Sequence, residues 1–247
     1  MRYLVLTDIH ANLEALQTCL ADAVARGYDN TLVLGDIVGY GADPNAVIER
    51  VRGLAPTAII RGNHDKVALG IEQAECFNAV ARNAAEWMLE ALTPDNRQWL
   101  VDLVKGPREV DDLVQICHGS PTDEDEYLFD QFAAAQALQA TARPLCLFGH
   151  THCAITYRMR NGACDTIPGS ANTEAVLTLQ PNVKYLVNPG SVGQPRDGDP
   201  RAGYGIVDTE ARRVWLFRLE YDIEGAQRKI LAAGLPEALA RRLAAGR

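Results

Sequence analysis

Histidine is sparse in this 247-residue chain, which has five, and none of its six cysteines forms a Cys-x-x-Cys pair. The second absence removes the common sulfur-ligated metal signature. Cys19, Cys76, Cys117, Cys146, Cys153 and Cys164 instead read as reduced thiols of a cytoplasmic protein, with Cys117 and Cys146 closing apolar runs. No apolar stretch reaches the roughly 20 residues that a bilayer-crossing helix needs, so no membrane span is expected. Met1 to Leu6 is too short for a secretory hydrophobic region and runs straight into Asp8 and His10. Positive charge is also short: 24 Lys and Arg against 32 Asp and Glu leave a net charge of −8. Such a surface repels a polyanion at long range, so extended nucleic acid is not expected as a partner. A small anion can still bind where something local supplies positive charge.

What is present reads as an ordinary globular α/β protein, 47% apolar and 23% charged. Residues 2–7, 31–35 and 57–61 are short apolar runs that predict buried strands. Between them, Asn12 caps a helix with Leu13, Leu16, Leu20 and Val24 on one face, stopped by Gly27. Asp43-Pro44 opens a second helix that Gly53 ends. Strand, helix, strand, helix, strand implies a parallel sheet with helices on its faces. Residues 72–105 differ in kind. Phe77, Val80, Ala84, Trp87, Met88 and Ala91 keep helical spacing, and Thr93-Pro94 starts another helix with Trp99, Leu100 and Leu103 inward. This pair reads as a helical insertion, placed over the site or against the sheet. Strands resume at about 113–117 and 145–148 and alternate through 153–219, including 204–208 and 213–219, before a helical tail at about 222–247. No repeat, linker or boundary appears, so residues 1–247 are expected to form one domain.

His10, His64, His118, His150 and His152 each lie at or just beyond the end of a predicted strand. Open α/β sheets gather ligands at the carboxyl ends of their strands, so these segments are expected to share one crevice. With them come Asp8, Gly35-Asp36, Gly62-Asn63-His64-Asp65 and Gly149. Imidazole nitrogen mixed with carboxylate and amide oxygen suits Zn, Mn, Fe, Co or Ni better than Mg or Ca. The spacing in Asp8-x-His10 and His150-x-His152 puts both side chains on the same side of an extended segment. One histidine alone would more often be a satisfied polar residue; five with none elsewhere argue for a shared role.

The set Asp8-x-His10, Gly35-Asp36, Gly62-Asn63-His64-Asp65, His118 and Gly149-His150-x-His152 resembles the calcineurin-like metallophosphoesterases in content and order. The resemblance covers about residues 1–155 and implies a four-layer α-β-β-α sandwich of two mixed sheets flanked by helices. It implies two divalent transition metal ions, one held by Asp8, His10 and His152, the other by Asn63, His118 and His150, with Asp36 bridging. His64 is implied to stay unligated and protonate the leaving oxygen, with Asp65 orienting its imidazole. Two divalent ions less two carboxylates leave a focused positive charge, where a phosphate would bind and a bridging hydroxide would attack phosphorus.

Departures from subfamilies narrow the expectation. Tyr40 replaces the arginine that protein phosphatases carry in Gly-Asp-x-Val-Asp-Arg-Gly, and it lies one position too far from Asp36 for the ligating tyrosine of purple acid phosphatases. The chain is most similar to the small bacterial and archaeal phosphodiesterase-like branch. Small phosphomonoesters or phosphodiesters, nucleotides above all, are the expected substrates. Dinucleoside polyphosphates, phosphoproteins and a non-catalytic metal-binding scaffold are the alternatives. Candidate substrate contacts are Arg61, Tyr40 by stacking or as a packed wall, Ser191 in the turn-rich loop from Asn188-Pro189-Gly190-Ser191 to Arg196, and Arg196 or Arg201. The acidic run Asp123–Glu126 reads as a solvated loop.

Overall fold

Alternation along β1 (Arg2–Leu6) sets the layers of the protein. Tyr3 and Val5 point into one apolar cluster and Leu4 and Leu6 into another. In this computed structural model, which describes residues 1–71, 78–169 and 172–247, the first cluster lies between two sheets and the second under helices.

One six-stranded sheet contains β1, β2 (Asn30–Val33), β3 (Ala58–Ile59), β9 (Glu174–Thr178), β11 (Ala202–Asp208) and β12 (Arg213–Leu219), in the order β3-β2-β1-β11-β12-β9. The other contains β4 (Arg108–Glu109), β5 (Val114–Ile116), β6 (Leu145–Leu147), β7 (Ile155–Arg160), β8 (Ala163–Pro168) and β10 (Lys184–Asn188), in the order β4-β5-β6-β10-β7-β8. Both are mixed. The parallel trio β1, β2 and β3 sits in the first, and the trio β5, β6 and β10 in the second. Val5, Leu32 and Ile60 meet Ile116, Leu147 and Val187 between the sheets.

The outer face of the first sheet is covered by α1 (Leu13–Arg26), α2 (Pro44–Gly53), α4 (Ala79–Ala91) and α5 (Pro94–Val101). The short α3 (Asn63–Ala68) precedes them at the sheet's end. The outer face of the second sheet is covered by α6 (Gln131–Ala140), whose Ala134, Ala137 and Leu138 pack on Cys117, Cys146 and Phe148. This is the α-β-β-α sandwich that the residue pattern implied. No helix of the described residues is long and apolar enough to cross a membrane.

Several expectations need correction. The strands end earlier than the apolar runs do, because Thr7, Leu34 and Ile60 already belong to loops. Helix α1 is capped by Asn12 and closed by Gly27, but Val24 is 68% exposed, and the buried stripe runs through Leu16, Cys19, Leu20 and Ala23. Asp43 is the N-cap residue of α2, but its side chain makes no cap hydrogen bond; its carboxylate accepts from Lys229 Nζ at 2.7 Å. The helices of the expected insertion do pack against the sheet: Met88 and Leu100 are buried with Val47 and Val51. Trp99 is only partly buried, and the part of the insertion at 72–77, with Phe77 and Cys76, lies outside the described residues. The tail is two helices, α7 (Ile223–Ala232) and α8 (Glu237–Ala245), which pack with Tyr40 and the first turns of α4.

Met88 is fully buried, so Met88→Ala should lower unfolding stability by about 2–5 kcal/mol, as large-to-small core changes do. A denaturant midpoint that shifts by less than about 1 kcal/mol equivalent would mark α4 as an appendage.

Candidate metal centre

The loops that follow β1, β2, β5, β6 and β10, and the segment after β3, come together at one edge of the sandwich. Backbone hydrogen bonds zip the first two: Asp8 N–H donates to Gly35 O, His10 N–H to Asp36 O and Ala11 N–H to Ile37 O. The β10 loop is tied to the same place, since Ser191 Oγ and Gly193 N–H both donate to Asp8 O. Close approach then demands glycine. A Cβ at Gly62 would overlap Asp36, and one at Gly149 would overlap Thr7 and crowd Asp8.

Two groups of donors form there. Asp8, His10, Asp36 and His152 make one, and Asp36, His118 and His150 the other; within each, the ligand atoms lie within 4.8 Å of one another, and all these residues are buried. Asn63 Oδ1 lies 3.2 Å from His118 Nε2 and adds an amide oxygen to the second. His64 belongs to neither group. Asp8, His10, Asp36, His150 and His152 all have positive φ, between 50° and 65°. The extended segments expected for Asp8-x-His10 and His150-x-His152 are therefore sharp left-handed turns instead. Each such residue costs about 1–2 kcal/mol of backbone strain, which persists only where the surroundings over-determine it.

The imidazoles are held in defined tautomers. His10 Nδ1 donates to Val38 O at 3.1 Å, His152 Nδ1 to Gln194 O at 2.6 Å and His118 Nδ1 to Leu34 O at 2.8 Å. The Nε2 of neutral His10 and His152 is thereby left as a lone-pair donor pointing inward, and that of His118 becomes one once its ring gives up the proton that Asp36 favours. His10 Nε2 and His152 Nε2 then face each other at 3.0 Å, lone pair to lone pair. Asp36 Oδ2 is buried with no hydrogen-bond partner, 3.5 Å from His10 Nε2 and 3.4 Å from His118 Nε2. Converging lone pairs without hydrogens between them are repulsive unless cations occupy the space. The residues therefore fit divalent metal ions. His150 is turned the other way, its Nε2 bonded to Asp125 O at 3.0 Å, which leaves Nδ1 as its donor atom.

Burial dominates the protonation of the site. It raises Asp8 to about 6 and Asp65 to about 7, and lowers His64 to about 4 and His150 to about 3. His10 and His152 are pushed well down for the same reason, which keeps them as neutral ligands. Burial would also lower His118, but the facing Asp36 carboxylate overrides it and raises His118 to about 10. Asp36 is held well below the usual range, against its own burial, by His118.

The other candidate residues divide. Asp65 does not act through a bond to the His64 ring: its Oδ1 accepts from the Ile37 and Val38 amides and its Oδ2 from Gly62 N–H, so it braces the two loops. Ser191 is fully buried with its hydroxyl committed to Asp8 O and Gln194 N, which makes it part of the turn and unavailable to substrate. Arg61 is held by Glu124 and Arg201 by Asp199. Of the acidic run, Asp123 and Asp125 are exposed as expected, but Glu124 is 7% exposed against Arg61 and Lys66, and Asp125 also binds Lys66. Tyr40 is a packed wall, its ring 4.7 Å from His10 and 4.3 Å from His64. Its hydroxyl accepts from Arg196 Nη2 at 3.2 Å, which brings Arg196 to the site. The sequence reading missed Tyr127, whose ring stacks on His150 with centroids 3.8 Å apart. Its signal was the Tyr-Leu-Phe stretch directly after the acidic run, in a chain with 6% aromatics.

A sandwich with metal-ligand side chains gathered on its strand ends is the build of a metal-dependent phosphoester hydrolase. Residues 1–212 match the calcineurin-like phosphoesterase superfamily domain, and the chain belongs to that superfamily. A metallophosphoesterase from Sphaerobacter thermophilus is 40% identical and superposes with a TM-score of 0.87, with 100% of each chain covered. An uncharacterized protein of Methanocaldococcus jannaschii is 35% identical over 98% of this chain and 97% of its own length. A hypothetical protein from Pyrococcus horikoshii OT3 shares the fold at 21% identity, with a TM-score of 0.78 over 100% of this chain and 98% of that one.

Asp36→Ala should cut the divalent metal retained after dialysis at least tenfold, read by elemental analysis. It should also remove the metal-dependent rise in melting temperature expected of the unaltered protein. An unchanged metal content would show that Asp36 is not a ligand.

Proposed function

We propose that this protein hydrolyses small phosphomonoesters or phosphodiesters, nucleotides foremost, at a centre holding two divalent transition metal ions bridged by Asp36. The observation that carries this reading is the partnerless Asp36 Oδ2 placed between His10 and His118. One carboxylate oxygen equidistant from two ligand groups is suited to a pair of cations and wasted on one. When bound, such a pair offsets phosphoryl charge and activates water for in-line displacement.

The chain's own residues supply the rest. Asp8, His10 and His152 on one side, and Asn63, His118 and His150 on the other, fix the geometry of the reacting centre. Arg196, stacked 5.5 Å over the Tyr40 ring, presents a guanidinium toward the ester's free oxygens. His64, anchored by its backbone N–H on Asp36 Oδ1 at 2.9 Å, delivers a proton to the leaving oxygen. An anionic ester bound against His64 raises its depressed pKa and so lets it carry that proton. A net charge of −8 keeps long polyanions away while this local centre draws in small anions.

The direct test is a manganese-loaded assay over phosphomonoesters, cyclic and linear phosphodiesters and dinucleoside polyphosphates, with Asp36→Asn as control. Turnover of a small ester that Asp36→Asn abolishes is the expected result; no turnover of any of them overturns the reading. His64→Ala should retain its metal yet lose turnover by about 10²–10⁴-fold, the usual weight of a positioned acid. Arg196→Ala should raise KM about tenfold at unchanged metal content. Normal kinetics in either variant removes that residue from the scheme.

A further inference from the structure

Large aromatic side chains are rarely left in water without a use, and this protein leaves several together. Tyr127 is 46% exposed, Phe129 64% and Phe132 75%, all in the segment that leads from the acidic run into α6. Tyr127 and Phe129 lie parallel, with an interplanar angle of 6° and centroids 5.3 Å apart. Tyr127 also stacks on His150, at 25°. A continuous π-surface therefore runs outward from a candidate metal ligand to Phe129. The Tyr127 hydroxyl faces Arg196, so the same ring borders the place where phosphate oxygens are held.

The segment is built to stay in place. Asp125 O fixes His150, Lys66 Nζ bonds the Asp125 carboxylate, and Leu128, between the two rings, is buried under α6. Tyr127 and Phe129 flank that buried leucine at alternate positions and so project to the same open side. Rings pinned by such an anchor lose little entropy on binding a flat partner.

We propose that Tyr127 and Phe129 form a stacking platform that receives the aromatic group of the ester, a nucleobase above all, and so select nucleoside phosphoesters over aliphatic ones. This rests on the phosphoesterase reading of the adjoining centre. A base stacked on Phe129 leaves its sugar to span the Tyr127 ring and its phosphate beside Arg196 and the metal ligands. Stacking of one base is worth about 1–3 kcal/mol on aromatic-to-alanine change, and about 1.4 kcal/mol is tenfold in affinity.

The test is equilibrium binding to the metal-loaded protein, without turnover. The two ligands are adenosine 5′-(α,β-methylene)diphosphate and the monomethyl ester of methylenediphosphonate, which carry the same ionisable oxygens and differ by adenosine in place of methanol. The nucleoside form should bind about tenfold or more tightly. Phe129→Ala should collapse that ratio toward one, and Phe129→Trp should restore it. Equal affinities in the unaltered protein, or a ratio that survives Phe129→Ala, overturns the platform. A change of oligomeric state in Phe129→Ala with the ratio kept also overturns it, and assigns the patch to contact between copies. The hydrolysis panel is scored separately. Phosphoester turnover with no preference for the nucleoside ligand sinks the platform alone, whereas absence of turnover sinks the reading beneath it.

Discussion

The crowding of electron pairs around Asp36 is the constraint on which the rest of the structure depends. A buried carboxylate oxygen lacking a hydrogen-bond partner, set against inward-facing imidazole nitrogens, needs positive charge beside it, from a protonated His118 or from cations. The protein holds this arrangement with ordinary means spent at one edge: positive-φ turns at five donor residues, glycines at 62 and 149 that let loops touch, and backbone carbonyls that fix each imidazole. Residues outside the donor groups serve the same end. Asp65 ties the β2 loop to the start of α3, and Ser191 ties the β10 loop to Asp8. The sandwich behind them gives two parallel strand trios whose ends coincide, which is what lets six separate segments reach one point.

Charge is handled differently outside the donor groups. The acidic loop after His118 is neutralised by Arg61 and Lys66, and it serves as a support that carries Asp125 O to His150 and Tyr127 to the ring beyond it. Arg196 is kept for another purpose. Its described contacts are Tyr40, Tyr127 and Gln194, neutral groups that position it without cancelling its charge. The C-terminal helices reach the same neighbourhood, since Leu239 and Leu243 of α8 pack with Tyr40. The chain's end thereby backs the wall of the site, although the matched superfamily domain stops at residue 212.

Much of this was legible in the order of residues. Asn12 and Gly27 as helix ends, the parallel first three strands, the ligand types and their position after strands all follow from local rules: capping, apolar runs and strand-end placement. Where those rules failed, a tertiary contact had overridden them. Asp43 stands at the N-cap but turns its carboxylate to Lys229 across the fold, and Val24 keeps helical spacing with Leu20 yet is left exposed. The apparent insertion is core because α2 presents Val47 and Val51 to it, a match that no window of sequence contains.

The sequence by itself determined the chemistry available: which donors exist, that they follow strands, and that the chain is acidic with no other histidines to spend. Residue type fixes what an atom can bind, and strand ends fix roughly where it can be. Only the tertiary structure decided which nitrogen of each imidazole is free, that Ser191 and Arg61 are committed elsewhere, and that Tyr127 borders His150. Those outcomes depend on hydrogen bonds and ring contacts between segments far apart in the chain, and local sequence rules carry no term for them.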